Sequence, residues 1–203
     1  MTKILCVPAE HLTKDVTPRG ILELTRTHGD WIERDLAETD ESWRQVIPYV
    51  LLATNNKEEE ISFFVYQRKG GGEGRLEGLY SIGIGGHIEE IDGKRGSPVY
   101  DAALREAKEE VKVPEGGFVD ISPNPLMCIL LNDTPVDRVH VGIVYTGAVC
   151  SSDDSSVDTI EANEPELRGQ MMSAHDLMAA YQNKTLNFEV WTKKVLSEMK
   201  LDK

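Results

Sequence analysis

The sequence contains no apolar run near the roughly 20 residues that a membrane-spanning helix needs. Its first apolar stretch, Ile4–Val7, is too short for the core of a signal peptide. A cytoplasmic protein with no membrane partner is expected. Cysteine is scarce as well: Cys6, Cys128 and Cys150 are far apart, odd in number and show no CxxC spacing. This excludes a disulfide frame and a thiolate zinc site, and leaves buried, reduced thiols as the expectation. Basic residues are few, with 22 Lys and Arg against 35 Asp and Glu and a formal net charge of −13. Affinity for a nucleic-acid backbone comes largely from cations that neutralise phosphates, so no long nucleic acid is expected as a partner. Local basic clusters remain adequate for one small phosphorylated ligand. What is present, 203 residues of which 40% are hydrophobic and 28% charged, suits a globular chain of one core and a short appendage.

Residues 1–44 differ from the rest of the chain. They carry dense charge from Asp30 to Glu41 around Trp31, Ile32 and Leu36. They read as an N-terminal extension of one strand and one helix. From residue 45 to 203 the pattern is that of a second, larger unit. Val46–Ala53 is a buried-strand run, Asn55-Asn56 begins a polar turn, and Ile61–Tyr66 completes a hairpin. A glycine-rich loop, Gly70–Gly78, leads into Tyr80–Gly86. A helix is expected from Pro98 to about Val111, then strands at Leu126–Leu131 and Val139–Val149. Ser173 followed by Asp176 resembles a capping box for a helix over Ala174–Gln182, and a last helix runs from Phe188 to Met199. Strands, a helix, strands and two helices indicate an α/β sandwich with a mixed sheet.

The helix from Pro98 carries the chemistry. Ser97 suits an N-cap and Pro98 the first helical position. At 3.6 residues per turn, Val99, Ala103, Leu104, Ala107 and Val111 share an arc of roughly 140°, the core face. Glu106, Glu109 and Glu110 fall within roughly 100° on its flank. Like charges at these spacings cost about 0.2–0.5 kcal/mol per pair, which Arg105 offsets in part through Glu109. Such a cluster is either a solvated acidic face or a site for a divalent cation with hard oxygen ligands. Upstream, Gly83-Ile84-Gly85-Gly86-His87-Ile88-Glu89 offers backbone carbonyls beside another acid.

Gly85-Gly86-His87-Ile88-Glu89, followed by Ala102-Ala103-Leu104-Arg105-Glu106-Ala107-Lys108-Glu109-Glu110, resembles the Nudix box of the Nudix hydrolases. The family pattern is Gly, five residues, Glu, seven residues, then Arg-Glu-hydrophobe-x-Glu-Glu-x-Gly-hydrophobe. Gly86 fits the first position, and Arg105, Glu106, Ala107, Glu109, Glu110 and Val113 fit the second block. Two features depart. Asp92 stands where the loop glutamate is expected, and a longer spacer separates it from Arg105, so that Glu90–Gly96 reads as an inserted segment. Glu89, Glu90 and Asp92 are all in range to replace the loop glutamate. Lys112 replaces the late glycine, at a place where a left-handed conformation would cost a non-glycine residue about 1 kcal/mol.

The resemblance implies a Nudix-like α/β/α sandwich and hydrolysis of a phosphoanhydride in a nucleoside diphosphate linked to another group, with Mg²⁺ or Mn²⁺. Carried over, Gly86 through its carbonyl, Glu106, Glu109 and Glu110 hold the cations, and Glu164 is a further metal candidate from a later loop. Arg105 orients the glutamates, and Glu106 or Glu109 accepts a proton from the attacking water. Arg68, Lys69 and Arg75, around the glycine-rich loop, together with His87 and Glu166, are candidates for holding a small-molecule nucleotide substrate. Homodimers are frequent in the family, and one is carried over by analogy. The competing reading is a Nudix-fold module that senses a nucleotide without cleaving it. Isomerisation of a diphosphate on the same fold would want a cysteine near the ligand, and Cys128 and Cys150 lie on apolar strand segments instead.

Overall fold

A computed structural model describes residues 2–55, 60–69, 74–94, 96–113, 115–151, 160–163 and 167–199. In chain order the elements are β1 (Lys3–Pro8), α1 (Pro18–Thr27), β2 (Asp30–Glu33), α2 (Arg34–Ala37), β3 (Trp43–Asn55), β4 (Ile61–Arg68), β5 (Tyr80–Ser81) and β6 (Gly83–Ile84). They continue with α3 (Pro98–Glu110), β7 (Val111–Lys112), β8 (Gly117–Ile121), β9 (Met127–Ile129), β10 (His140–Ser151), β11 (Glu161–Ala162), β12 (Leu167–Ser173), α4 (Ala174–Gln182) and α5 (Val190–Glu198). The class is α/β, as the alternation of apolar strands with amphipathic helices requires.

Contacts group the chain into two units. The first comprises residues 1–50, 85–106 and 122–145; the second comprises 51–84, 107–121 and 146–203. The boundary passes within β3, α3 and β10.

In the first unit β1 lies antiparallel between β2 and the start of β3, with Leu5 opposite Trp31 and Val7 opposite Arg44. Ile4, Cys6 and Ala37 form a small core there, with Ile32 and Trp43 against it. The N-terminal stretch therefore supplies two strands and two helices rather than one of each. α1 starts where Thr17 accepts from the Gly20 amide at 3.1 Å, with Pro18 at its first turn. β9 pairs with β10 through Cys128 opposite Ile143.

In the second unit β4 lies between β12 and the end of β3, with Met171 opposite Phe64 and Ala53 opposite Phe63. Phe63, Phe64, Val65 and Tyr66 are all buried, so both faces of this strand are covered. β8 pairs with the end of β10, and β7 pairs with β11. The capping box at Ser173 is present: its hydroxyl accepts from the Asp176 amide at 3.0 Å, and α4 runs from Ala174 to Gln182.

α3 ends one residue earlier than expected. Val99, Ala103 and Ala107 are buried, as their shared face predicts; Ala102, placed on the acidic flank, is buried too. Lys112 takes no left-handed turn. It continues the chain as strand β7 opposite Glu161, so the replaced glycine costs nothing of that kind. The C-terminal carbonyls of α3 are received by Asn163: its side-chain nitrogen donates to Glu109 O at 2.9 Å and its amide to Glu110 O at 2.8 Å. Of the thiols only Cys6 is buried; Cys128 and Cys150 are half-buried, which corrects the expectation for those two, and none of the three is in a disulfide. No helix among the described residues is long and apolar enough to cross a membrane.

Candidate active site

Within the first unit the chain passes through Gly85 and Gly86, makes a 3-10 turn over Glu90–Lys94 and enters α3. Gly86 lies against the Glu106 carboxyl group so closely that a Cβ built on it would stand 2.5 Å from the Glu106 Cδ. Only glycine leaves that space to the carboxylate. Gly85 is bare for a different reason, because a Cβ there would run into the Pro48 carbonyl.

Arg105 organises the acids around it. Its Nε donates to Asp92 Oδ1 at 2.9 Å and its Nη2 to Asp92 Oδ2 at 3.0 Å. Nη1 donates to Glu106 Oε1 at 2.7 Å, and Nη2 also donates to the His87 carbonyl at 2.9 Å. Asp92 is buried, and its Oδ2 accepts from the Glu89 amide at 2.9 Å as well. The hydrogen bonds to Asp92, together with Glu106, hold the guanidinium well above its ordinary pKa despite partial burial. Of the three acids in range of the loop-glutamate position, Asp92 is the one that pairs with Arg105. It stands at the sixth residue after Gly86, so the extra residues of this chain fall after it, between Asp92 and Arg105.

His87 is half-buried. Its Nε2 lies 2.7 Å from Gln45 Oε1 and 3.9 Å from Glu38 Oε1, and its ring centroid lies 6.0 Å from that of His140. Burial first, then the Arg34 and His140 charges, push its pKa down to about 3, so the ring is neutral. His87 is thus engaged by protein groups on this side.

The remaining predicted residues are distributed as follows. Glu109 and Glu110 sit one turn beyond Glu106 on α3, Glu109 exposed and Glu110 half-buried. Arg68 is half-buried in the second unit, its guanidinium 5.5 Å from the Tyr66 ring centroid and its Nη2 3.3 Å from the Tyr66 hydroxyl. Lys69 and Arg75 are exposed. Glu164 and Glu166, and residues 70–73 of the glycine-rich loop, lie outside the described residues. Sequence reasoning left Glu38 and Gln45 without a role. They have no motif spacing to His87, and only the fold brings them to it.

Tm1382, a candidate Nudix hydrolase, matches over 96% of this chain and 96% of its own, with a TM-score of 0.71 and 26% identity. On this likeness the chain has the Nudix fold, and within it Arg105 pairs with Asp92 and with Glu106, whose carboxyl group lies against Gly86. Protein YmaB of Bacillus subtilis (strain 168) is 35% identical over 121 residues, 56% of this chain and 53% of that protein. The chain thus spans about half the length of this curated relative. The NUDIX domain of Shewanella oneidensis NrtR, solved with ADP ribose, shares the fold at a TM-score of 0.51 and 14% identity, over 76% of this chain and 84% of its own. No known protein-family profile matches the sequence.

Proposed function

We propose that the protein hydrolyses a phosphoanhydride bond in a small nucleotide derivative, a nucleoside diphosphate linked to another group, with Mg²⁺ or Mn²⁺. The observation that carries this reading is the bare Gly86 against the Glu106 carboxylate, locked by the Arg105–Asp92 pair. The donor set fits the cation: carboxylate oxygens and a backbone carbonyl are the hard ligands that Mg²⁺ and Mn²⁺ take. Glu106, Glu109 and Glu110, with the Gly86 carbonyl, would hold it. Its chemistry there would be to neutralise the diphosphate and lower the pKa of the attacking water.

The residues of the chain supply the rest. Arg105, fixed on three sides, holds Glu106 in place rather than meeting substrate. Glu109 or Glu106 accepts the proton of the water. Arg68, Lys69, Arg75, Glu164 and Glu166 remain candidates for contacts to substrate or a further ion. ADP ribose, which the NrtR domain holds, is a nucleoside diphosphate linked to a sugar and belongs to the proposed substrate class. A cytoplasmic enzyme acting as a homodimer is consistent with this reading.

The test is a panel of dinucleoside, sugar and triphosphate nucleotides incubated with the protein and Mg²⁺, Mn²⁺ or EDTA. Cleavage that EDTA abolishes, and that a Glu109→Gln/Glu110→Gln variant lacks, supports the reading and identifies the substrate. A nucleotide that raises the melting temperature without being cleaved by the unmodified protein would replace it with a sensing module.

A further inference from the structure

Glu38, His87 and His140 each bring a ligand atom to within 4.8 Å of the other two. All three belong to the first unit, yet they come from separate stretches: Glu38 follows α2, His87 follows the glycine pair, and His140 opens β10. None of them is an acid of the Nudix box. Two imidazoles and one carboxylate form a donor set unlike that of α3. All-oxygen ligands suit Mg²⁺, whereas imidazole nitrogens favour borderline first-row ions.

We propose that Glu38, His87 and His140 form a second cation site that takes a divalent first-row transition ion of the Zn²⁺ kind in preference to Mg²⁺, with the Gln45 amide oxygen as a fourth donor. The surroundings are arranged for this. His140 Nδ1 donates to the Val136 carbonyl at 2.8 Å, which leaves Nε2 as the nitrogen with a free electron pair. A ligating histidine commonly fixes its tautomer by giving its other N–H to a backbone carbonyl. Gln45 is fully buried, and its side-chain nitrogen donates to the Ala37 carbonyl at 3.1 Å. Its oxygen is therefore turned to His87 Nε2, at 2.7 Å.

Ligands about 2.1 Å from a tetrahedral ion stand about 3.4 Å apart, so the 3.9 Å between Glu38 Oε1 and His87 Nε2 needs to close by roughly 0.5 Å and the 2.7 Å between His87 Nε2 and Gln45 Oε1 to open by roughly 0.7 Å. Glu38 is the donor free to make the first movement. Its side chain is 39% exposed, and its ion pair with Arg34, at 3.8 Å, is open to solvent screening. The Gln45 oxygen accepts from His87 Nε2–H, so ligation through Nε2 shifts that proton to Nδ1; the ring remains neutral and no net proton is released.

This second site does not depend on the hydrolase reading, and its test has a readout apart from activity. The probe is Co²⁺, whose visible bands report nitrogen and oxygen ligation, titrated into the full chain with Mg²⁺ in large excess to occupy oxygen-only sites. One equivalent is expected to bind, to be displaced by one equivalent of Zn²⁺, and to persist in Glu109→Gln/Glu110→Gln. Glu38→Gln, at an exposed position, and His140→Ala are each expected to weaken binding at least tenfold. Absence of saturable Co²⁺ binding overturns the proposal. So does unchanged binding in Glu38→Gln, whatever His140→Ala does, or loss of the signal in the α3 double variant.

Discussion

Asp92 grips the Arg105 guanidinium through both carboxylate oxygens, at 2.9 and 3.0 Å, from a position that is itself buried. The pair ties the loop after Gly86 to α3. It also accounts for the charge of Arg105, which would otherwise have to be shared between Glu106 and solvent.

Asp92→Asn should therefore be costly. Removing one partner of a largely buried pair leaves the other charge uncompensated, with a typical penalty of about 3 kcal/mol. A fall of that size in urea-unfolding stability is expected, together with loss of metal-dependent hydrolysis. A change below about 0.5 kcal/mol would mean that Glu106 and the His87 carbonyl suffice to hold Arg105.

The adjacent glycines should respond in opposite ways. In Gly85→Ala the new methyl meets the Pro48 carbonyl, rigid backbone that cannot turn aside, so a loss of roughly 3 kcal/mol is expected. In Gly86→Ala it meets the end of the Glu106 side chain, which can rotate. Stability should fall by no more than about 1 kcal/mol, while displacement of the carboxylate lowers metal affinity or activity roughly 10- to 100-fold. Thermal melts and metal titrations on the two variants separate these effects.

Cys6 is fully buried, and burial, aided by the Asp30 and Glu38 charges, pushes its thiol up to about 12. At pH 8 a disulfide reagent should label Cys128 and Cys150 in the native protein and spare Cys6 until the chain unfolds. The linkage runs toward alkaline pH. The folded thiol holds its proton above the unfolded pKa, so its contribution is fully present below about pH 8.5 and is lost as pH rises toward 12. Cys6→Ala should flatten the alkaline limb of the stability profile.

Arg44 is buried and gathers the chain before β10: it donates to the Leu131 carbonyl at 3.0 Å, the His140 carbonyl at 3.2 Å and Asn132 Oδ1 at 2.5 Å, and to the Asp137 carbonyl as well. Arg44→Met keeps the bulk and removes these bonds. Since a hydrogen bond to a charged group contributes about 1.5–3 kcal/mol, a loss of roughly 3 kcal/mol is expected. Amide exchange should quicken over residues 131–140 ahead of the rest of the first unit.

Local signals carried much of the fold. Pro98 after Ser97, the apolar face of Val99, Ala103 and Ala107, and the Ser173–Asp176 cap all reappear as α3 and α4 within a residue. The reason is that caps and 3.6-residue periodicity act over one or two turns. β12 was not legible, because Gly169 and Gln170 interrupt its apolar pattern and its existence depends on pairing with β4. The short pair of β7 and β11 was missed for the same reason: two residues have no periodicity to show.

The sequence by itself determined the chemistry of α3. The order Arg105-Glu106-Ala107-Lys108-Glu109-Glu110 on a helix places three carboxylates on one flank by backbone geometry alone. Tertiary structure decided which acid serves Arg105. Glu89, Glu90 and Asp92 are equivalent in charge and nearly so in spacing, and only the 3-10 turn after Glu89 aims Asp92 at the guanidinium while its Oδ2 accepts from the Glu89 amide. It also decided the company of His87. Glu38, Gln45 and His140 meet it through strand pairing and packing between segments tens of residues apart, and no pattern along the chain encodes such a distance.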